Sequence, residues 1–167
     1  MRVQASTPEQ EMFRSAVRVF CAREISRDYV RACDRERRPP TELFEAIAKQ
    51  GWLGVNITEE YGGGGGGATE VAILLEEVGR HFLDLAFWLF RSVTWGGYAI
   101  QRDGSDAQKK DLLPKVATGE VSICFALTEP SAGSDASAIK TTAVKDGDDY
   151  VINGEKVFIS GFKVSDY

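Results

Sequence analysis

Hydrophobic residues in the first two-thirds of the chain recur at spacings of three and four, which is the pattern of amphipathic helices. One helix is predicted to begin at Thr7, because Thr7, Pro8 and Gln10 combine a hydroxyl N-cap, a proline in the first turn and a capping-box partner. Its buried stripe is predicted to comprise Met12, Phe13, Ala16, Val17, Phe20, Cys21 and Ile25. A second helix is predicted between Pro40 and Gly51. Its buried face is predicted to comprise Leu43, Phe44 and Ile47.

The helical pattern continues as far as Gly119, which is predicted to end it. A third helix is predicted over about residues 69–81, and its inward residues are Val71, Leu74, Leu75 and Val78. Residues 85–100 are apolar around most of a helical circumference, which predicts a helix packed on several sides. Residues 105–108 form another capping-box sequence, and the helix that follows is predicted to kink at Pro114 or to give way there to a further short turn.

From Val121 onwards the pattern shifts towards the period of two that is typical of strands. The predicted strands are Ser122–Leu127, Thr142–Lys145, Tyr150–Ile152 and Lys156–Ile159. Residues 146–149 and the Asn153-Gly154 pair are predicted to form hairpin turns, so the sheet is antiparallel. Three or four short strands leave an open edge, which predicts that the sequence is cut inside this domain. The predicted fold class is α+β: an all-α helical bundle over residues 1–120, then an incomplete antiparallel β-domain over residues 121–167.

Composition and charge exclude several classes of protein. Apolar residues make up 43% and charged residues 27%, which predicts a soluble globular chain. The formal net charge of −5 argues against a general nucleic-acid binder, which needs a basic surplus. Arg35, Arg37 and Arg38 lie beside acidic residues and are interpreted as a solvated loop. No apolar run approaches the roughly 20 residues of a membrane span, and residues 1–12 lack the apolar core of a signal peptide.

The cysteines and the single histidine leave little room for metal or hydrolase chemistry. Cys21, Cys33 and Cys124 are odd in number and show no CxxC spacing, so reduced thiols in the cytoplasm are predicted. His81 is the only imidazole, which argues against histidine-based metal sites and a Ser-His-Asp triad. We interpret His81 as a surface or capping residue, and we predict no metal site.

Six consecutive glycines, Gly62–Gly67, formally contain the G-x-G-x-x-G pattern of dinucleotide-binding loops. That fingerprint requires a preceding strand and a parallel partner strand. The only candidate for the preceding strand, Trp52–Ile57, is weak, and no parallel partner follows the next helix. A flexible surface turn is therefore favoured over a phosphate cradle.

Two segments of the predicted β-domain could carry chemistry. Phe125–Asp135 (FALTEPSAGSD) leads into a small-residue loop whose amides and hydroxyls could bind a pyrophosphate, although a plain connecting loop is the alternative. A serine nucleophile in this loop is disfavoured because His81 is the only candidate base. Tyr150–Ser160 (YVINGEKVFIS) is predicted to present Phe158 and Ser160 on one strand face, which could wall a planar cofactor or simply pack in the sheet.

Together these two segments resemble the flavin-binding signature of the acyl-CoA dehydrogenase family. Shorter upstream similarities extend the resemblance over essentially the whole chain: Pro8–Gln10, Glu59–Gly63, Leu75–Glu77, Gly104–Ser105 and Leu113–Lys115. The resemblance implies an N-terminal helical domain followed by the first strands of the family's central β-domain. The unbroken glycine run departs from the family pattern, and we expect it to make that loop more flexible.

The resemblance also implies roles for individual residues around an FAD cofactor. The cofactor-binding positions are Phe125, Leu127, Thr128, Gly133, Ser134, Phe158, Ile159 and Ser160. The first two line the isoalloxazine, and Thr128 bonds its pyrimidine side. Gly133 and Ser134 belong to the pyrophosphate loop, and Ser134 also contacts the acyl-CoA substrate. Phe158 would lie against the ring, and Ser160 would bond near flavin N5.

The implied reaction is α,β-dehydrogenation of an acyl-CoA thioester, with electrons passing to an electron-transferring flavoprotein. In this family the catalytic glutamate and most oligomer contacts lie in a C-terminal domain, so no catalytic residue is expected in this chain. Glu129 does not match the family's base and is interpreted as structural. We expect the chain alone to be inactive, as part of a truncated or split enzyme with a homo-oligomeric or complementing partner. The alternative is a non-catalytic interaction module or a pseudoenzyme remnant of the same family.

Overall fold

The computed structural model describes residues 6–167, which divide into two compact units. The first comprises the chain up to Ile123 together with Asp166–Tyr167, and the second comprises Cys124–Ser165. The signal-peptide prediction rests partly on residues 1–5, which lie outside the described residues. Within residues 6–167, no helix has both the length and the apolar character needed to cross a bilayer.

The first unit is built from helices. They are α1 (Pro8–Glu24), α2 (Arg27–Glu36), α3 (Thr41–Ala48), α4 (Ala68–Gly79), α5 (Leu83–Phe90), a π-helical stretch (Arg91–Tyr98), α6 (Ala99–Asp103) and α7 (Asp106–Thr118). The predicted capping boxes are present: the amide of Gln10 donates to the Thr7 hydroxyl, and that of Gln108 donates to Ser105. Gly119 ends α7 in the left-handed conformation, as predicted.

The main core lies between α1, α3, α4 and α5. Its fully enclosed side chains include Val17, Ile47, Leu53, Leu74, Val78, Leu85 and Leu89. Phe20 and Phe13 meet the ring of Trp52 edge to face, with centroid distances of 5.2 and 5.9 Å. The predicted buried stripe of α1 is wrong at two positions, because Met12 and Ala16 are exposed. The exposed fraction of Met12 is 73%. Arg14 and Arg18 of α1, in contrast, contact α4, where they bind the Glu77 carboxylate.

Helix α2 was not predicted, and the interpretation of Arg35 as a loop residue is wrong. Ser26 caps α2 by accepting from the amide of Tyr29 at 3.1 Å. Only Cys33 of this helix is buried, so the hydrophobic periodicity is too sparse to reveal it. Arg37 ends the helix in the left-handed conformation, with φ of 51°.

The predicted helix over residues 85–100 is present, but Arg91–Tyr98 within it is π-helical. Its two glycines allow close packing: a Cβ at Gly96 would lie 3.1 Å from a Val116 methyl, and one at Gly97 would lie 3.2 Å from the Asn56 amide oxygen. Helix α7 runs through Pro114, which lies on an exposed face where water can satisfy the backbone carbonyl that proline leaves unpaired.

The second unit contains a two-stranded antiparallel sheet of β1 (Thr142–Asp146) and β2 (Asp149–Asn153). The register pairs Val144 with Val151, and Gly147 in the turn has φ of 62°. These two predicted strands and their hairpin are confirmed, as is the α+β class.

The other two predicted strands, Ser122–Leu127 and Lys156–Ile159, are wrong, and Asn153-Gly154 does not form a hairpin. A strand needs a hydrogen-bonded neighbour along its length, and neither segment has one among residues 6–167. Their alternating side chains signal a preference for extended structure, but that preference is not sufficient without a partner.

Candidate functional site

The two segments singled out in the sequence are joined within the second unit by main-chain and side-chain hydrogen bonds. The Val157 amide donates to the Thr128 carbonyl at 3.0 Å. The Lys156 ammonium donates to the Leu127 carbonyl, also at 3.0 Å. The stretch from Phe125 to Ser134 and the stretch from Lys156 to Ser160 therefore meet at Leu127 and Thr128.

Glu129 is the most highly connected side chain of this region. It is only 5% exposed, and its carboxylate accepts from the amides of Lys140 and Thr141 at 2.8 and 3.0 Å. It also accepts from the Lys156 ammonium at 2.8 Å. The hydrogen bond from Lys156, with those from Thr141 and Lys140, lowers the pKa of Glu129 to about 2. A carboxylate that is held this way is a poor proton acceptor at neutral pH, which agrees with a structural role.

The apolar side chains of this region are open to solvent. Phe125 and Leu127 are partly exposed, and next to them a cleft is lined by Ala126, Lys156, Ile159 and Phe162. A contiguous exposed apolar patch often marks a surface that contacts a ligand or another protein, whereas single exposed apolar residues are common. The carbonyls of Leu127 and Thr128 belong to the same stretch and accept from Lys156 and Val157.

The loop that follows is tight and leaves donors free for a ligand. Glu129 and Ala132 exchange two backbone hydrogen bonds of 2.9 and 3.1 Å, which closes a turn around Pro130 and Ser131. A Cβ at Gly133 would meet no atom within 4 Å, so a ligand can approach the backbone there. The amides of Gly133 and Ser134 donate no hydrogen bond to any residue between 6 and 167. Open amides beside serine hydroxyls suit a phosphate anion.

Phe158 and Ser160 do not share a strand face, so that prediction is wrong. Phe158 has φ of 57° and is 91% exposed. Ser160 lies in the turn that follows. A left-handed backbone is unfavourable for a non-glycine residue. The left-handed conformation of Phe158 occurs in a segment that has no paired neighbour strand among residues 6–167.

The glycine run, in contrast, is ordered by its own backbone hydrogen bonds. The amides of Gly64, Gly65 and Gly66 donate to the carbonyls of Gly54, Ile57 and Val55 at 2.8–2.9 Å. These amides are used within the fold, so the expectation of a flexible turn is wrong and the phosphate-cradle alternative loses its donors. A Cβ at Gly63 would lie 2.1 Å from the Ile57 carbonyl oxygen, which shows that glycine is required there.

Several buried charges escaped the sequence interpretation. Glu77 is 1% exposed and binds the guanidinium groups of Arg14 and Arg18 at 2.7 and 2.8 Å. Arg91 is equally buried, donates to the Ser122 hydroxyl at 2.9 Å and lies over the ring of Trp88. The only sequence signal was a charge placed on the inward face of a helix. The ion pair between Lys156 and Glu129 likewise has no local sequence signal, because 27 positions separate the two residues.

Metal chemistry has no ligand cluster in the described part of the chain. Between residues 6 and 167, no group of three or more His, Cys, Asp or Glu side chains could hold an ion. Cys21, Cys33 and Cys124 are free thiols, and burial raises the pKa of Cys21 to about 11.

Comparisons with known proteins agree over the whole described chain. Residues 7–120 match the family model for the acyl-CoA dehydrogenase N-terminal domain, and residues 124–167 match that for the acyl-CoA dehydrogenase middle domain. The chain belongs to the acyl-CoA dehydrogenase family. It is 36% identical to acyl-CoA dehydrogenase FadE29 of Mycobacterium tuberculosis, over 96% of this chain and 41% of that protein.

Two further relatives give the same picture. The chain is 41% identical to an acryloyl-CoA reductase (NADH) of Anaerotignum propionicum, over 93% of this chain and 39% of the relative. It superposes on a glutaryl-coenzyme A dehydrogenase in complex with glutaryl-CoA with a TM-score of 0.90 and 34% identity, covering 99% of this chain and 42% of that one. The chain thus spans about 40% of the length of the family members that it matches.

Proposed function

We propose that this chain is part of an FAD-dependent acyl-CoA dehydrogenase that introduces an α,β double bond into an acyl-CoA thioester. The observation that carries the proposal is the meeting of the two motif segments, where Val157 donates to the Thr128 carbonyl beside the open loop at Gly133. Membership of the family supports an oxidoreductase, and the relatives named above include enzymes that act on CoA thioesters.

The loop residues have the clearest roles in this proposal. Phe125 and Leu127 supply an apolar surface for the isoalloxazine, and the Thr128 hydroxyl bonds its pyrimidine side. Gly133 and Ser134 bind the pyrophosphate through their free amides and a hydroxyl, and Ser134 also contacts the acyl-CoA. The open space at Gly133 supports this arrangement, because a phosphate can approach the backbone without meeting a side chain.

The second segment completes the site in the proposal. Phe158 and Ile159 lie against the flavin ring, and Ser160 bonds near N5. This assignment requires the left-handed bend at Phe158 to become extended, a change that a paired neighbouring strand would favour. The exposure of the Phe158 ring supports a role in covering another group.

Bound FAD would supply the acceptor for the hydride that leaves the β carbon of the substrate. The chain's own residues bind and orient the two reactants and exclude water from between them. The base that takes the α proton is assigned to the family's C-terminal domain, so no residue of this chain is proposed as catalytic. Glu129 is unsuited to that task because Lys156, Lys140 and Thr141 already hold its carboxylate.

The remaining assignments follow from the same proposal. The helical domain spans residues 1–120 and the partial β-domain residues 121–167, which is supported by the separate family matches. The partners are an acyl-CoA substrate, an electron-transferring flavoprotein, and a second copy or a complementing chain. A cytoplasmic location is supported by the three free thiols.

A turnover assay tests whether this chain works alone. The purified chain is mixed with FAD, a saturated acyl-CoA and a dye that accepts electrons, and dye reduction is followed. We expect no turnover, because the base is assigned to the family's C-terminal domain and the Glu129 carboxylate is already held by its donors. Turnover by the isolated chain would overturn that expectation. Restoration of turnover by a second chain carrying the rest of a family enzyme would identify a split enzyme, whereas failure to restore it favours the non-catalytic alternative.

A further inference from the structure

We infer that Glu129 is a positioning residue whose carboxylate, through Lys156, holds the two segments of the candidate flavin site in register. The inference deepens the proposed function and rests on it for the identity of the ligand. The geometry of the inference does not depend on the proposed function, because it involves only residues of the second unit.

The contacts of Glu129 divide between its two carboxylate oxygens. Oε2 accepts from the Lys140 amide at 2.8 Å, and Oε1 accepts from the Thr141 amide at 3.0 Å and from Lys156 Nζ at 2.8 Å. The three donors come from two separate stretches of chain. Both oxygens are needed, so an amide side chain, which has one oxygen and one NH₂ group, cannot replace them fully.

Lys156 transmits this anchoring to the candidate site. Its ammonium bridges the Glu129 carboxylate and the Leu127 carbonyl, at 2.8 and 3.0 Å. The next residue, Val157, donates its amide to the Thr128 carbonyl. Leu127 and Thr128 are thereby held against the stretch that leads to Phe158 and Ser160. Holding Lys156 in place therefore supports both its own hydrogen bond to Leu127 and the hydrogen bond between Val157 and Thr128.

Removing the Glu129 carboxylate and removing the Lys156 ammonium break different hydrogen bonds of this network. Without the Glu129 carboxylate, the amides of Lys140 and Thr141 lose their acceptor and Lys156 loses its anchor. Without the Lys156 ammonium, only the link to Leu127 and the ion pair are lost. The effect on the Val157–Thr128 hydrogen bond is therefore common to both changes, whereas the effect on Lys140 and Thr141 is specific to Glu129.

The experiment compares backbone amide signals in the ¹⁵N-labelled 167-residue chain and three variants: Glu129→Gln, Lys156→Met and, as a matched control, Glu155→Gln. Glu155 is an exposed carboxylate one position from Lys156. In Glu129→Gln we expect the NMR signals of the Lys140 and Thr141 amide protons to move upfield. We expect the Val157 amide to exchange with solvent about tenfold faster, which corresponds to the loss of one charge-assisted hydrogen bond. In Lys156→Met only the Val157 change is expected. In Glu155→Gln neither is expected.

The β1–β2 hairpin distinguishes positioning from general stability. If Glu129 only stabilises the unit, the hairpin amides of Val144 and Val151 will change along with Val157. That result would overturn the inference, as would a Val157 amide that exchanges at the wild-type rate in both Glu129→Gln and Lys156→Met.

FAD titration of the same proteins separates this inference from the proposed function. We expect the dissociation constant to rise about tenfold in Glu129→Gln and to be unchanged in Glu155→Gln. If the wild-type chain binds no FAD, the half-site proposed for this chain fails, while the amide signals still decide whether Glu129 positions the two segments.

Discussion

Replacing Gly63 by alanine should destabilise the helical unit strongly, although the residue lies in a run of six glycines. The added Cβ would lie 2.1 Å from the carbonyl oxygen of Ile57 and 2.5 Å from its carbonyl carbon, far inside van der Waals contact. Ile57 is fully buried, and its carbonyl accepts from the Gly65 amide at 2.8 Å. The loop must move away and break that hydrogen bond.

The expected loss combines two contributions. Overpacking against the Ile57 backbone costs about 1–3 kcal/mol, and the broken hydrogen bond costs about 1 kcal/mol. We therefore expect Gly63→Ala to lower the free energy of unfolding by about 2–4 kcal/mol. Urea titration measures it through tryptophan fluorescence, since Trp52 packs on the core beside this loop.

Two neighbouring glycines are matched controls. A Cβ at Gly64 would come no closer than 3.4 Å to any atom, and Gly64 is not in the left-handed conformation, so Gly64→Ala should change stability by no more than about 0.5 kcal/mol. Gly62 has open space but φ of 81°, so Gly62→Ala should cost about 1–2 kcal/mol from backbone strain alone. Equal stability of the Gly63 and Gly64 variants would refute the ordered packing of this loop and restore the expectation of a flexible turn.

Three further outcomes are expected. Hydrogen bonds from the guanidinium groups of Arg18 and Arg14 lower the pKa of Glu77 to about 2 against the opposing effect of burial, so its stabilisation is present above pH 4.5 and is lost as the pH falls through 2. Glu77→Gln should cost about 2 kcal/mol at pH 7, a value discounted because Arg18 is half exposed, and much less at pH 2. An equal cost at both pH values, or the same cost for exposed Glu11→Gln, would contradict this. At pH 8 a thiol reagent should modify half-exposed Cys124 well before buried Cys21, and mass spectrometry that finds the reverse order would refute the burial of Cys21. Ser105→Ala should cost about 1 kcal/mol in urea titrations because the Gln108 amide loses its cap, whereas no loss would show that the capping box adds nothing.

Helices with caps and a regular apolar stripe were predictable from the sequence. Thr7 and Ser105 begin helices because a hydroxyl can satisfy a free amide at that position whatever surrounds it. Helix α2 was missed because it buries little beyond Cys33 and is held by its cap and its polar contacts. A method that relies on hydrophobic periodicity cannot detect a helix without it.

Strand prediction failed for two segments that have no paired strand among residues 6–167. The residues of Lys156–Ile159 alternate as a strand should, but pairing is a property of two segments and only β1 and β2 supply it to each other. The prediction of a flexible glycine run failed for a related reason. The run is ordered by hydrogen bonds to the carbonyls of Gly54, Val55 and Ile57, and the sequence alone could not place these carbonyls beside it.

The candidate site was predictable as a set of residues but not as a geometry. The motif resemblance singled out the loop from Phe125 to Ser134, and the structure leaves that loop open at Gly133. Glu129 was expected to be structural, but its link to Lys156 could not be derived, because 27 positions separate them and no local spacing connects them. Long-range hydrogen bonds of this kind depend on the fold.

Visible absorption titration of the 167-residue chain with FAD tests most directly whether the second unit carries a flavin half-site. We expect saturable binding with a perturbed flavin band. Thr128→Val should weaken the binding, and Thr142→Val, at an exposed threonine of β1, should leave it unchanged. Subsequent addition of a saturated acyl-CoA should leave the band unbleached, because we assign the base to the family's C-terminal domain. A spectrum that stays that of free FAD at every protein concentration would contradict the account.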